Sequence, residues 1–499
     1  MVQWHVQLSE EEKQSLDTMV SIEEIKEVLW SMKPYKAPGP NGLHAGFFQK
    51  FWLLVGDSVR KEVEKVFIER KFLEYLNNTH IVLIPKVQGS EIIGNYRPIS
   101  LCNSVYKIIN KIIVARIKPH FDTLVFPHQT AFILGRKGVN NAIIVQELIH
   151  TIGRAKGNRG FMAIKIDLEK AYDRIEWSFI REMLTLFNFP ENLIKLIMSC
   201  VTSMSTSFLF SGGSLDHFLP SRGIIQDGPL SPYLFILCME FLSHLVEEKC
   251  AAKLWTPVKV SRSGPAFSHL FFADDLVLFA NANSENWVAI SSTLQEFCAK
   301  FGQKVSEAKY HVFFSPNVDP EEREALTSIL GFNSTTNLGK YLGFPIKQLR
   351  RQWHEFGSIL DRVNKKLAGW KANLLSMVGR MVLIQASSSA IPSYVMQINF
   401  FPKKILNVID RVNRNFFWGS YDHTRKMHWV NWDTITKPKD SCGLGLQFAR
   451  GRNTALLAKL NWRFHIEKEF QWAKVLRFKY CLRQRINSIN ESKLPSSST

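Results

Sequence analysis

The most informative pattern along the chain is Phe271-Phe272-Ala273-Asp274-Asp275-Leu276-Val277-Leu278-Phe279, where two adjacent acids divide two apolar runs. Side chains alternate faces along a strand, so the runs predict two short buried strands with Asp274 and Asp275 at the turn between them. A second apolar stretch, Phe161-Met162-Ala163-Ile164-Lys165-Ile166-Asp167, predicts a strand ending on an acid, and Leu168 to Ile175 leads on into a helix. A carboxylate at a strand's end beside a helix start is where α/β proteins place ligands. Neighbouring acids repel, and a half-buried site tolerates them when something positive lies beside them. Hard oxygen donors on a tight turn suit Mg2+, and two such ions about 3.5 to 4 Å apart can clamp the attacking and leaving oxygens of a phosphoryl transfer. Taken alone, an Asp-Asp turn is equally a solvated loop. Asp167 supplies the third acid that a metal pair needs.

Elsewhere the periodicity alternates between helix and strand. Residues 8 to 32 predict one helix, with a cap-like Ser9 and with Ile22, Ile25, Val28 and Leu29 on one face. Lys36-Ala37-Pro38-Gly39-Pro40-Asn41-Gly42 is a rigid non-helical loop carrying a cation. Thr79 to Pro85 predicts a buried strand with Lys86 just past it, and Asn95 to Leu101 a short stiff element displaying Arg97. Two cations on stiff backbone can hold a triphosphate, and two solvated loop ends have the same pattern. Further helices are expected over Ser104 to Lys118, Asn140 to Ile152, Tyr233 to Glu248 and Ser284 to Phe301. Tyr172 follows Asp167 closely enough to project near the same mouth, as a core tyrosine also would. Gly223 to Pro232, which includes Gln226, is a glycine- and proline-punctuated loop before an apolar helix; such a loop can approach a base pair or simply start the helix. Beyond about Gln352 the pattern is helical and basic, with interruptions expected near Pro392 and Pro402, and the serine-rich tail from Ser492 is expected to be disordered.

Composition changes the picture in one respect. The 63 Lys and Arg exceed the 44 Asp and Glu, giving a formal charge of +19, and residues 341 to 499 hold 27 of the former against 9 of the latter. That basic third also carries Trp353, Trp370, Trp418, Trp429, Trp432, Trp462 and Trp472. Cations interleaved with aromatics suit a phosphate backbone and its bases, although basic amphipathic helices also serve plain solubility. The seven cysteines form no C-x-x-C pair, which argues against a zinc ribbon or a disulfide framework and suits a reducing compartment. No apolar run long enough to span a bilayer occurs, so no membrane partner is expected. A chain of 499 residues predicts two to four domains.

In order and separation, six motifs resemble the reverse transcriptase of plant LINE-type, non-LTR retrotransposons: Lys36 to Gly42, Ile84-Pro85-Lys86, Asn95 to Ser100, Lys165 to Asp173, Gln226 to Phe235, and Phe272-Ala273-Asp274-Asp275. The resemblance implies an α+β right-hand polymerase fold of fingers, antiparallel-sheet palm and helical thumb, with a basic helical C-terminal extension. The implied division is an N-terminal helical extension over 1–60, fingers and palm over 61–345, a thumb-like region over 346–430 and the extension over 431–499. The implied activity is RNA-directed DNA synthesis, extending a DNA primer on an RNA template with dNTPs. Asp167, Asp274 and Asp275 would be catalytic and hold two Mg2+ ions, with Mn2+ as a substitute. Lys86 and Arg97 would meet the incoming triphosphate, Tyr172 would exclude a ribose 2′-hydroxyl, and Gln226 would line the nascent pair. The expected location is intracellular, nuclear or cytoplasmic.

The chain departs from the family pattern where Arg-Gln-Gly-Asp-Pro is usual, having Ile225-Gln226-Asp227-Gly228-Pro229 instead. A side chain where hydrogen normally fits can clash with backbone or template and sets an anion near phosphates. Asn41 and Ser306 also differ from the family's residues, while Lys309 is kept. The family's preceding endonuclease and following Cys/His segment are missing, so nicking of target DNA is not expected. The alternative is a polymerase-shaped RNA-binding protein, maturase-like or decayed. An RNA-templated RNA polymerase is a third reading, against which Tyr172 argues.

Overall fold

The computed structural model describes residues 6–303, 310–330, 332–346, 356–420 and 426–481. Its strands fall into two main sheets set among helices, an α+β arrangement. β1 (Asn78–Pro85) and β2 (Tyr96–Cys102) pair antiparallel from Thr79↔Cys102 to Pro85↔Tyr96. β3 (Phe161–Asp167) belongs to the other sheet. β4 (Ser205–Phe210) runs parallel to β1 and carries β5 (Gly213–Ser214), so the first sheet has the order β2-β1-β4-β5. After a small hairpin of β6 (Val258–Lys259) and β7 (Ala266–Phe267), β8 (His269–Phe272) and β9 (Asp275–Asn281) form the acid-bearing hairpin. β10 (His311–Phe314) and β11 (Asn333–Ser334) complete a five-stranded sheet of order β11-β10-β3-β9-β8.

Both faces of this sheet are buried, and alternation decides which core each residue enters. Met162, Ile164, Ile166, Leu276 and Leu278 point into a large core that also holds much of the helix Ser231–Ala251. That helix is buried almost all round from Ser231 to Val246, as its largely apolar sequence over those turns requires, with Glu240 among the buried residues. Ala163, Val277 and Phe279 point the other way, into a second core with the helix Gly138–Ile152, Tyr341, Phe401 and Trp472. A third core joins Val363, Phe416 and Trp418 to Trp432 and Leu446.

The helices over Ser104–Ile117 and Ser284–Phe301 fall close to the expected spans. The long helix expected over 8 to 32 is two, Glu10–Leu16 and Ile22–Ser31. Ser9 and Glu12 close a reciprocal capping box on the first, and Ser21 starts the second by accepting the Glu24 N–H at 3.1 Å. Hydroxyl side chains that bond their own backbone favour such breaks over continued helix. β1 is buried only at its start, since Leu83, Ile84 and Pro85 reach past the sheet's packing into solvent. Pro392 lies in a helical run that continues from Met377 to Met396, and the interruption expected near it takes the form of the π-helical turn Ile384–Ser388 just before it, whereas Pro402 precedes the helix Lys403–Trp418 as expected. Of the tryptophans read as base-stacking groups, Trp418, Trp432 and Trp472 are core residues, while Trp429 and Trp462 are exposed. The apolar area of a tryptophan makes core packing its strongest single outlet. The serine-rich tail, Ser306 and Lys309 lie outside the described residues.

Candidate active site

Strand register brings the acids together. Asp167 is the last residue of β3, Asp275 the first of β9, and the two are direct partners in the antiparallel pairing. Opposite residues in such a pair present their side chains on one face, about 4.5 to 5.5 Å apart at Cβ. Asp275 also pairs with Phe272 of β8, which leaves Ala273 and Asp274 as the turn. Ala273 is left-handed at φ +52°, a conformation costing a side-chain-bearing residue about 1 to 2 kcal/mol. The turn is held from beneath by Gln129, wholly buried, whose Oε1 accepts the N–H of Ala273 at 3.2 Å and of Ala131 at 3.0 Å. The Phe271 N–H donates to the His128 carbonyl at 2.9 Å, and Asn141 Nδ2 donates to the Phe271 carbonyl at 2.9 Å.

The electrostatics are those of like charges with too little compensation. Asp274 keeps a solvent-facing side, yet the protein around it desolvates the carboxyl and, with the Asp167 charge, raises its pKa. Burial raises Asp275 too, the Asp274 charge adds to this, Lys165 opposes it, and Asp167 reinforces it. Lys165 lies two residues before Asp167 on the same face of β3 and donates through Nζ to the Lys340 carbonyl. An acid cluster that favours protonation in the bare protein is matched by divalent cations, and all its donors are hard oxygens.

Tyr172 reaches the same place. Its ring stacks on Phe235 at 4.8 Å between centroids, and its hydroxyl is pushed up by burial and then by the charges of Asp274 and Asp227. The backbone of Tyr172 also accepts the Ile224 N–H at 2.9 Å, tying the loop before the helix Ser231–Ala251 to the acid-bearing segment. Gly223 is needed there, because a Cβ at its position would lie 2.8 Å from the Asp173 carbonyl oxygen. Gln226 donates to Asp173 Oδ1 at 3.0 Å. Asp227 takes a left-handed φ of +65° with its side chain exposed, so the expected backbone clash gives way to a conformational cost that Asp tolerates better than most residues. Lys86 and Arg97 lie close to each other on the first sheet, whereas the acids lie on the second. Both are exposed at the loop end of the β1–β2 hairpin, where Arg97 pairs with Ile84 and Lys86 donates from its backbone to Asn95 at 2.8 Å.

Two contributors had no signature in the residue order. Gln129 acts on Ala273 across 144 positions, and Lys165 was legible only as one residue of an apolar strand. A third feature lies behind the hairpin. Among the described residues, the one trio of His, Cys, Asp or Glu whose ligand atoms all fall within 4.8 Å of each other is His128, Glu247 and His269.

Comparison with known proteins bears on what this arrangement is. The family profile described as reverse transcriptase (RNA-dependent DNA polymerase) matches residues 84–346, more than half of the chain and the whole of the segment carrying Asp167, Asp274 and Asp275. The chain belongs to the reverse transcriptase family. Its α+β architecture is accordingly the polymerase fold of that family. Among its relatives, an uncharacterized 149 kDa protein of transposon TX1 from Xenopus laevis is 25% identical over 479 residues, covering 93% of this chain and 35% of that protein. A Pol polyprotein of the type-2 retrotransposable element R2DM from Drosophila melanogaster is 28% identical over 228 residues, 46% of this chain and 20% of that protein. A Pol polyprotein of the type-1 retrotransposable element R2 from Nasonia vitripennis is 25% identical over 354 residues, 69% of this chain and 32% of that protein. This reverse transcriptase chain thus spans about a third or less of the length of these curated relatives. Among the described residues no helix is long and apolar enough to cross a membrane.

Proposed function

We propose that this chain is an RNA-directed DNA polymerase of a plant LINE-type, non-LTR retrotransposon, extending a DNA primer on an RNA template with dNTPs. The observation that carries the proposal is the pairing of Asp167 with Asp275, with Asp274 on the adjoining turn. Asp167, Asp274 and Asp275 would hold two divalent cations, Mg2+ or in its place Mn2+. Such ions, when bound, lower the pKa of the primer 3′-hydroxyl and neutralise the leaving pyrophosphate. The chain's own residues do the rest. Gln129 fixes the turn, Lys165 tempers the charge on Asp275, and the Tyr172 ring, backed by Phe235, would bar a ribose 2′-hydroxyl. Lys86 and Arg97 would meet the triphosphate, and Gln226, anchored on Asp173, would line the nascent pair. Residues 1–60, 61–345, 346–430 and 431–499 are the proposed N-terminal extension, fingers and palm, thumb and basic extension. The excess charge of the last two suits a nucleic-acid duplex. The site of action is intracellular, nuclear or cytoplasmic.

One observation favours a second reading, an RNA-binding protein with impaired catalysis. Asp227 stands at φ +65° where the family pattern has glycine, and its charge reaches Tyr172. Primer extension on primed RNA with dNTPs and Mg2+ separates the two. Extension by the wild-type chain that Asp274→Ala abolishes supports the enzyme. Synthesis that appears only in the combined Ile225→Arg, Asp227→Gly and Gly228→Asp variant supports the binder; the new Cβ at 228 would meet the rotatable Ser231 hydroxyl at 2.8 Å and the Cβ of residue 225 at 3.3 Å. Equal incorporation by wild type and Asp274→Ala would refute the site.

A further inference from the structure

Behind the catalytic hairpin, three elements distant in sequence converge on a small buried polar cluster. His128 comes from the segment running beside β8, His269 is the first residue of β8, and Glu247 lies in the last turns of the helix Ser231–Ala251. The His128 and His269 rings are 4.6 Å apart at their centroids and inclined by 74°. His128 Nδ1 is 3.9 Å from Glu247 Oε1, beyond hydrogen-bond range, and makes no hydrogen bond. His269 is fully buried; Ser268 Oγ engages its Nδ1 at 2.9 Å, and its Nε2 makes no hydrogen bond. Two imidazole nitrogens and one carboxylate oxygen, all within 4.8 Å of one another, are therefore gathered without satisfying each other.

Core histidines usually resolve such a situation by bonding a carbonyl or a carboxylate, because an unpaired buried nitrogen is costly. Here two are left over and both face one acid. We propose that His128, His269 and Glu247 bind one Zn2+ ion that clamps the base of the catalytic hairpin. Two imidazole nitrogens and a carboxylate oxygen are a zinc donor set, at bond lengths of about 2.0 to 2.2 Å, and a water completes the tetrahedron. The set differs in kind from the all-oxygen aspartate cluster, which suits Mg2+. Ser268 supplies an outer partner to the His269 ring and engages the Glu247 carboxylate as well, as ligating groups require. Burial keeps both imidazoles neutral, the state in which they ligate. The ion would tie the strand His269–Phe272 and the neighbouring Gln129 to the long central helix, so its role is to stiffen the support of Asp274 rather than to touch substrate. The inference stands whether or not the chain polymerises.

The test uses the full chain, stripped of metal and titrated with Co2+ and then with Zn2+ against a chromophoric chelator. One equivalent of Co2+ with the visible absorption of a four-coordinate N/O site is expected, displaced by Zn2+, and Zn2+ raises the melting temperature. His128→Gln and Glu247→Gln, both at partly exposed positions, each weaken Zn2+ by about tenfold or more. Asp274→Asn leaves the cobalt spectrum unchanged. The proposal is overturned if the wild-type chain takes up no tight equivalent, or if both variants bind as the wild type does, which would point to surface thiols such as Cys442. Should both variants fail to fold, the wild-type stoichiometry and spectrum decide alone.

Discussion

Asp167 and Asp275 face each other as direct partners where β3 ends and β9 begins, with Lys165 two residues before Asp167 on the same face. On that face the apolar residues of the second core begin at Val277 and Ala163, short of Lys165 and the acid pair. Lys165 is thus the group that holds the Asp275 pKa down against burial, Asp274 and Asp167.

Replacing Lys165 by Met removes a cation that favours the ionised form of Asp275. Its pKa then rises further, and the carboxylate becomes available only at higher pH. The acidic limb of the pH profile for primer extension is expected to move to higher pH in Lys165→Met, with the alkaline limb in place. An unmoved acidic limb would separate Lys165 from the site.

Gln129→Leu leaves the Ala273 and Ala131 N–H groups without their acceptor in a buried place. A lost acceptor of this kind costs about 1 to 3 kcal/mol of stability. Because one of those donors belongs to the strained turn beside Asp274, the apparent Mg2+ affinity for extension is expected to weaken as well. Calorimetry and a Mg2+ titration check the two effects separately. A melting temperature that falls while the Mg2+ dependence stays fixed would make Gln129 structural only.

Asp227→Gly relieves a left-handed conformation at an exposed position, where glycine is favoured by about 1 kcal/mol. The variant should unfold at slightly higher denaturant with an unchanged slope. A lower midpoint would show that the Asp227 side chain contributes a contact that outweighs its conformational cost.

Glu240 is fully buried in the helix Ser231–Ala251, and burial pushes its carboxyl up to about 8, against the pull of the Phe126 N–H at 2.9 Å and of Arg136. A raised folded pKa means that the folded protein holds this proton more tightly than the unfolded chain, so stability falls as pH climbs from the ordinary glutamate range through about 8. Glu240→Gln escapes that loss. Its melting temperature should match the wild type near pH 4.5 and exceed it increasingly up to pH 9, and a constant difference across that range would contradict the assignment.

Much of the fold could be read from the residues because local periodicity and punctuation were strong. The strand ending at Asp167 and the helix Ser284–Phe301 have the spans their patterns predict, with Asn283 capping that helix and Gly302 ending it in the left-handed region. The presence of Asp274 and Asp275 at a hairpin was legible for the same reason. Which of them faces Asp167 was not, because register is a long-range property set by two cores on opposite faces of one sheet. Gln129 and the trio of His128, Glu247 and His269 were invisible for a related reason: the trio's spacings of 119 and 22 residues, and the 144 from Gln129 to Ala273, match no ligand motif, and only folding makes them neighbours. The tryptophans of the basic third misled because residue order records an aromatic without saying which way its helix turns it.

The central claim is that Asp167, Asp274 and Asp275 act as one acidic site for nucleotide addition. Single-nucleotide incorporation on primed RNA, followed against Mg2+ concentration for the wild-type chain and for Asp167→Asn, tests it most directly. The wild type is expected to add dNTP in a Mg2+-dependent manner, and Asp167→Asn to lose at least about a hundredfold in rate. Incorporation by Asp167→Asn at the wild-type rate, with the same Mg2+ dependence, would contradict the account.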